Sequence, residues 1–170
     1  MTNIPELLIV TNKAFSLKAQ CWVHDDQQNL LFDAHKAGVF SKTTVLVDTR
    51  SDSKTSITDQ RWKPDAPWLI EGELGQFQIK RNVRSITRNY WIEGGVFDGA
   101  TVQADSPDYG YRIAHADQTI AVGYEKRLSL KSEQKLELKV TTSNVLLLSA
   151  VVAIVVSREK QEQRSGMNQN

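Results

Sequence analysis

The densest basic stretch of the chain holds the residues best suited to binding chemistry. Lys80, Arg81, Arg84 and Arg88 follow one another with no acidic residue among them, and the aromatic pair Tyr90-Trp91 comes directly after. Clustered Lys and Arg side chains suit phosphate and carboxylate oxygens, which they hold through charge-assisted and often bidentate hydrogen bonds. The stretch therefore predicts a site for an anionic ligand. The alternative is a solvated hairpin whose charges serve solubility or protect a sheet edge.

Two predicted strands would position these cations. Phe77 to Lys80 alternates apolar and polar residues, and Ile86 to Ile92 is a second strand candidate. If the two strands pair, the four cations converge at one hairpin.

Other chemistries have little support in the sequence. His24, His35 and His115 lie far apart, with no second ligand at zinc spacing. Cys21 sits within an apolar strand, where a lone cysteine usually packs, and no Gly-x-Ser-x-Gly elbow occurs. Phosphate-loop and dinucleotide-binding motifs are also missing from the sequence. We predict no catalytic residue, no metal ligand, no cofactor and no enzymatic activity.

Length and composition are those of an ordinary globular domain. The chain has 170 residues, a net charge of +1 and one cysteine, so an intrachain disulfide is excluded. The small net charge gives no general attraction to nucleic acid, and none is expected as a partner. The N-terminal segment lacks the basic start of a signal peptide. We predict a cytoplasmic protein and leave peripheral attachment to a membrane open.

Short strands separated by polar turns fill the chain from Phe15 to Leu138. Strands at intervals of about 8–12 residues predict an all-β barrel or sandwich. Asp98-Gly99 is the signal of a two-residue type I′ hairpin turn. Trp22–Gln27 resembles Ile113–Gln118, and Val45–Arg50 is a weaker third copy. Each copy is the end of an apolar strand entering an acidic turn, so one hairpin unit is used repeatedly.

The run VLLLSAVVAIVV, Val145 to Val156, is almost entirely apolar. As a helix it spans about 18 Å, which is too short for a bilayer core of about 30 Å. Its β-branched residues favour a strand, but one strand of this length would be about twice the usual. We predict a helix near 144–157, buried on all faces and capped by Thr142, Ser143 or Asn144. Arg158 and Lys160 would then suit its C-terminal dipole.

These features together resemble the LURP-one-related family, which shares the Tubby C-terminal-domain fold with the phospholipid scramblases. The resemblance rests on the hairpins Trp22–Phe32 and Ile113–Tyr124, on Tyr90–Gly99 and on Leu146–Ile154. It implies a closed antiparallel barrel of about twelve strands around a central hydrophobic C-terminal helix. The expected domain covers residues 15–157, after an N-terminal segment, 1–14, and before a polar, flexible tail, 158–170.

The resemblance also implies a non-enzymatic binding module. Tubby-type domains bind phosphoinositides through basic surface residues, so Lys80, Arg81, Arg84 and Arg88 become candidate ligands for a phospholipid or phosphoinositide headgroup. They are candidates by charge alone. Scramblases carry a cysteine-rich palmitoylated segment and a proline-rich region, whereas this chain has one cysteine and four prolines. Membrane anchoring and scrambling are therefore not expected. A structural or protein-interaction domain without a small-molecule ligand is the alternative.

Overall fold

The computed structural model describes residues 4–13, 20–60, 66–82, 84, 89–105, 110–125 and 133–167. These described residues form twelve strands followed by one helix. The strands are β1 Leu7–Asn12, β2 Cys21–Asp25, β3 Leu30–Lys36, β4 Thr43–Asp48, β5 Lys54–Asp59, β6 Trp68–Gly72, β7 Gly75–Arg81, β8 Asn89–Glu93, β9 Thr101–Asp105, β10 Gly110–His115, β11 Gln118–Glu125 and β12 Glu133–Leu138, and the helix is α1 Ser143–Met167.

The strands form one closed antiparallel barrel in which each strand pairs with its neighbours in sequence. This confirms the predicted fold class. The barrel closes where β1 pairs with both β12 and β2, with Val10 opposite Gln134 on one side and Val23 on the other. Residues 7–12 therefore form the strand that closes the barrel. The prediction of an N-terminal segment, 1–14, outside the domain is wrong for these six residues. The alternation of buried and half-buried residues along β1 gives it an inner face like that of the other strands.

The antiparallel order defines two ends of the barrel. Each odd-numbered strand runs toward one end, where the helix leaves the barrel, and we call this the exit end. The turn between β3 and β4 and the connection from β7 to β8 lie there. The turns β2–β3, β4–β5, β6–β7, β8–β9 and β10–β11 lie at the opposite end, which we call the entry end.

The repeated hairpin unit has a shared irregularity. The register of β2 and β3 shifts between Val23 and His24, and that of β10 and β11 shifts between Ile113 and Ala114. In each case one extra residue on the second strand forms the bulge that bends the strand near its turn. The turns also need left-handed backbone, with φ of 68° at Gln28 and 62° at Asp117. The two predicted copies are thus alike in backbone as well as in sequence.

Asp98 and Gly99 are the central residues of a turn, because the Ala100 amide donates to the Phe97 carbonyl at 3.0 Å. The predicted type I′ hairpin is wrong, however, because of these two residues only Gly99 has a positive φ, of 80°. β8 ends at Glu93 and β9 begins at Thr101, so these residues belong to a longer connection. Phe97 is buried in this connection, and its ring meets His115 edge-on with centroids 5.4 Å apart. Asp98 Oδ1 accepts a hydrogen bond from the Gly94 amide at 2.7 Å. Backbone hydrogen bonds between Ile92 and residues 99–100 extend the β8–β9 pairing, and the buried Phe97 and the Asp98 hydrogen bond order the connection beyond it.

Helix α1 passes through the barrel and forms its core, as the apolar run predicts. Thr142 caps its first turn, because Thr142 Oγ1 accepts a hydrogen bond from the Val145 amide at 3.2 Å. Val145 through Ser157 are all buried. A helix with no polar face needs an apolar surface on every side, and the inward residues of twelve strands provide it.

The helix does not end near residue 157. It continues to Met167, so the predicted flexible tail, 158–170, is corrected at least as far as Met167. Glu159 is 1% exposed and hydrogen-bonded inside the barrel at the exit end. These contacts hold this turn of the helix in place. Arg158 and Lys160 therefore lie in the middle of the helix and do not serve its C-terminal dipole. No helix within the described part of the chain is long and apolar enough to cross a membrane.

Candidate functional site

Strand parity divides the basic stretch between two faces of β7. Phe77 and Ile79 point into the barrel, and Arg81 has the same parity at the exit end. Lys80 has the opposite parity and lies on the outer face. Lys80 and Arg81, although adjacent in sequence, therefore lie in different surroundings. The predicted pairing of the two strands is confirmed for the described part, with Lys80 opposite Trp91 and Arg81 opposite Tyr90.

Lys80 belongs to an ion pair on the outer surface. Its Nζ lies 2.5 Å from Glu93 Oε2, and Trp91 Nε1 donates to Glu93 Oε1 at 3.1 Å. The hydrogen bond from Lys80 lowers the pKa of the Glu93 carboxyl, and the Trp91 hydrogen bond acts in the same direction. Glu93 thus balances the charge of Lys80. An anionic ligand at this position would compete with Glu93 for the ammonium group.

Arg81 faces a carboxylate of the central helix. Its Nη1 lies 3.7 Å from Glu159 Oε2, which also accepts a hydrogen bond from the Tyr90 hydroxyl at 2.5 Å. Trp68 Nε1 donates to the other carboxylate oxygen at 3.3 Å. The Arg81 side chain is 26% exposed, whereas that of Glu159 is 1% exposed. The guanidinium group therefore bridges the barrel interior and the surface at the exit end.

A second set of polar contacts holds the helix on its other side. The Ser157 hydroxyl accepts hydrogen bonds from Gln134 Nε2 at 2.7 Å and Asn12 Nδ2 at 3.2 Å. The Tyr111 hydroxyl lies 3.2 Å from Gln134 Oε1 and donates to it. Two residues along a helix correspond to a rotation of about 200°, so Ser157 and Glu159 face nearly opposite walls. The sequence interpretation missed both networks, although polar residues directly after the apolar run were a usable signal.

A groove at the exit end brings part of the predicted site together. It has a volume of about 630 Å³, and Lys80, Arg81 and Arg84 line it with Trp91. Arg84 is exposed, and its amide donates to Asn82 Oδ1 at 3.1 Å. Gln60, Pro67, Gln78 and Asn82 complete the lining. Arg88, the fourth predicted residue, lies outside the described residues.

A second groove, of about 560 Å³, crosses the outer surface toward the entry end. Its charged lining residues are Asp98, Arg112 and Asp117, and His115 also lines it. Charges of both signs make this groove a poorer match for an anion than the first groove.

Nucleophilic and metal chemistry receive no support from the described geometry. Burial raises the pKa of the Cys21 thiol to about 12, although the nearby Arg158 acts in the opposite direction. The thiol is therefore protonated and unreactive at neutral pH, as expected for a packed core residue. Among the residues that the structure describes, no group of three or more His, Cys, Asp or Glu side chains is placed to hold a metal ion.

Comparison with known proteins gives one match. No curated protein and no solved structure matched the chain. The family model of the LURP-one-related proteins matches residues 6–158. This range begins just before β1 and ends within α1, so it includes the closing strand and the central helix. The closed twelve-stranded barrel with its single C-terminal helix fits the fold that the resemblance implied. The chain belongs to the LURP-one-related family.

Proposed function

We propose that this protein is a non-enzymatic binding module that takes an anionic ligand in the groove at the exit end. The ligand class is a phospholipid or phosphoinositide headgroup. The observation that carries the proposal is the convergence of Lys80, Arg81 and Arg84 around one groove beside Trp91. A volume of about 630 Å³ lies within the range of roughly 300–1,000 Å³ typical of small-molecule sites. Family membership supports a binding-type domain rather than an enzyme.

The three cations would contribute differently. Arg84 is exposed and would make the first contact with phosphate oxygens. Arg81 is oriented by Glu159 beneath it, and its Nε is buried without a hydrogen-bond partner among the described residues. Lys80 would exchange its bond to Glu93 for one to the ligand. Binding should therefore weaken as salt increases, because every proposed contact is between charges.

Sedimentation with vesicles tests the groove. Arg84→Glu combined with Arg88→Glu should abolish sedimentation with phosphatidylcholine vesicles that contain a phosphoinositide. Lys54→Glu combined with Lys139→Glu is the matched control, since it makes the same number of charge reversals on exposed residues at the entry end. Unchanged sedimentation of the double variant would rule out the groove.

The same assay, extended to phosphatidylcholine vesicles that contain phosphatidylserine, addresses the alternative of a protein-interaction domain. If the unmodified protein sediments with neither phosphatidylserine nor phosphoinositide vesicles, the anionic-headgroup proposal fails. Affinity purification from the native source then becomes the experiment for the interaction class.

A further inference from the structure

The turn between β3 and β4 exposes two apolar side chains at the exit end. Phe40 is 98% exposed and Val39 is 53% exposed. The turn is ordered by hydrogen bonds: the Ser41 amide donates to the Gly38 carbonyl at 3.0 Å, and the Ala37 amide donates to the Thr43 carbonyl at 2.9 Å. Val39 and Phe40 are thus the two central residues of a defined turn. Single exposed apolar residues are common, but an adjacent pair held at the tip of a turn forms a compact apolar projection.

Basic residues flank this projection and occur elsewhere at the same end. Lys36 ends β3 and Lys42 directly precedes β4, so the two lysines flank the turn. Lys13, which follows β1, and Arg84 are exposed at the same end of the barrel. The described acidic residues at this end are Glu159, which is buried beneath Arg81, and Asp59, Asp105, Glu125, Glu133 and Glu162. Asp59 lies beside the turn, where its amide donates to the Lys42 carbonyl at 3.0 Å. Acidic residues therefore also occur at the exit end, but the residues that flank the apolar tip in sequence are Lys36 and Lys42.

The entry end has the opposite character. Its turns expose five carboxylates, whereas its described basic residues include Arg50, which is paired with Asp48 at 2.6 Å, and the exposed Lys54 and Lys139. The five are Asp26, Asp52, Glu73, Asp98 and Asp117. An anionic surface would repel the entry end more strongly than the exit end, and this difference orients the barrel before contact.

We propose that the β3–β4 turn inserts Val39 and Phe40 into the headgroup and upper acyl region of an anionic membrane leaflet, so that the barrel docks on its exit end. The inference rests on the proposed function for the choice of an anionic lipid, and it adds a second, apolar contact outside the groove. An apolar tip with flanking lysines matches the layered chemistry of this interface, where acyl chains lie beneath anionic headgroups. The groove lies at the same end and would face the same leaflet.

Lipid partitioning and binding of a soluble headgroup separate the two proposals. Val39→Ser combined with Phe40→Ser should lower partitioning into phosphatidylcholine–phosphatidylserine vesicles by about tenfold or more, because the apolar side chains then have no transfer free energy to contribute. Calorimetric binding of a soluble inositol phosphate should be unchanged in this variant. If neither protein binds the soluble headgroup, the groove proposal fails. If the double variant partitions as well as the unmodified protein, or if the unmodified protein does not partition at all, the insertion proposal fails.

Site-specific fluorescence gives the positional test. Cys21 is buried with a pKa of about 12, so an environment-sensitive thiol dye should label Phe40→Cys selectively in the folded protein. Its emission should shift to the blue on addition of phosphatidylserine vesicles. Lys54→Cys at the entry end is the control and should not respond. Equal responses at the two positions, or no response at position 40, would overturn the proposed orientation.

Sedimentation velocity without lipid tests whether the apolar tip instead binds a second copy of the protein. The unmodified protein and the serine double variant should both remain monomeric. A dimer that the double variant loses would assign the tip to self-association and overturn the membrane proposal.

Discussion

Glu159 and Arg81 show how one side-chain pair can connect the core to the candidate site. The Glu159 carboxylate is held inside the barrel by the Tyr90 hydroxyl and the Trp68 indole, and Arg81 approaches it from the mouth. The distance of 3.7 Å is longer than that of a short charge-assisted hydrogen bond, so this contact is mainly Coulombic. Arg81 therefore has a structural role in addition to its place in the groove.

A double-mutant cycle separates the two roles of Arg81. Arg81→Leu should lower the free energy of unfolding, because Glu159 then remains buried without its cationic neighbour. Loss of one partner of a buried pair typically costs about 3–5 kcal/mol, and we expect less because Arg81 is 26% exposed. In a Glu159→Leu background the same change should cost much less. Urea denaturation of the four proteins measures the coupling, and additive effects would contradict a structural role.

The central helix is the element on which the barrel depends. Its buried face extends around the whole circumference, and Ala150, Val151, Val152 and Ala153 are each at most 2% exposed. A barrel of this width would contain a void without the helix, because the inward side chains of twelve strands do not fill it. The helix also carries the polar residues that fix its position at the exit end. The apolar surface of the helix is therefore buried by its packing against the barrel.

Substitutions within the helix should prevent folding. Val152→Asp buries a carboxylate among apolar side chains, and Ala150→Arg adds a large cation at a position with 0% exposure. The penalty of several kcal/mol is comparable with the whole stability of a domain, about 5–15 kcal/mol. Circular dichroism and thermal denaturation should show no cooperative transition for either variant. Gln161→Asp, on an exposed position of the same helix, is the control and should fold. A soluble, cooperatively folded Val152→Asp protein would contradict the central-helix role.

Closure of the barrel is a property of the whole molecule. β1 and β12 come from opposite ends of the chain, with Leu8 opposite Leu136 and Val10 opposite Gln134. Without β1, the edges of β2 and β12 would each present unpaired backbone groups, and open edges favour aggregation. The strand also supplies Asn12, which donates to Ser157 on the helix.

Deletion of residues 1–12 should therefore abolish the monomeric folded state. We expect aggregation in size-exclusion chromatography and loss of the cooperative thermal transition. Deletion of residues 1–3 keeps all of β1 and serves as the control. A monomeric protein that lacks residues 1–12 and still melts cooperatively would show that closure by β1 is not required.

The sequence determined the local elements of this protein. Alternating apolar residues marked the strands, and the run from Val145 to Val156 marked a helix that must be buried on all sides, because residue periodicity records which faces are buried. The basic stretch was also visible, because it is contiguous in sequence. The alternation of Phe77 and Ile79 with polar residues implies that Lys80 and Arg81 lie on opposite faces of the strand. The sequence alone could not show that Glu159 lies beneath Arg81, since this depends on the position of the helix in the closed barrel.

Only the tertiary structure decided the contacts that link distant residues. Glu159 meets Tyr90 across 69 positions of sequence, and Asn12 meets Ser157 across 145. These pairs depend on the rotation and depth of the helix within the barrel, which arise from packing all twelve strands around it. For the same reason, the end of the helix and the closing role of β1 could not be read from local patterns. Barrel closure brought the β3–β4 turn to the same end as the basic groove. The sequence of neither segment predicts that the two lie at the same end.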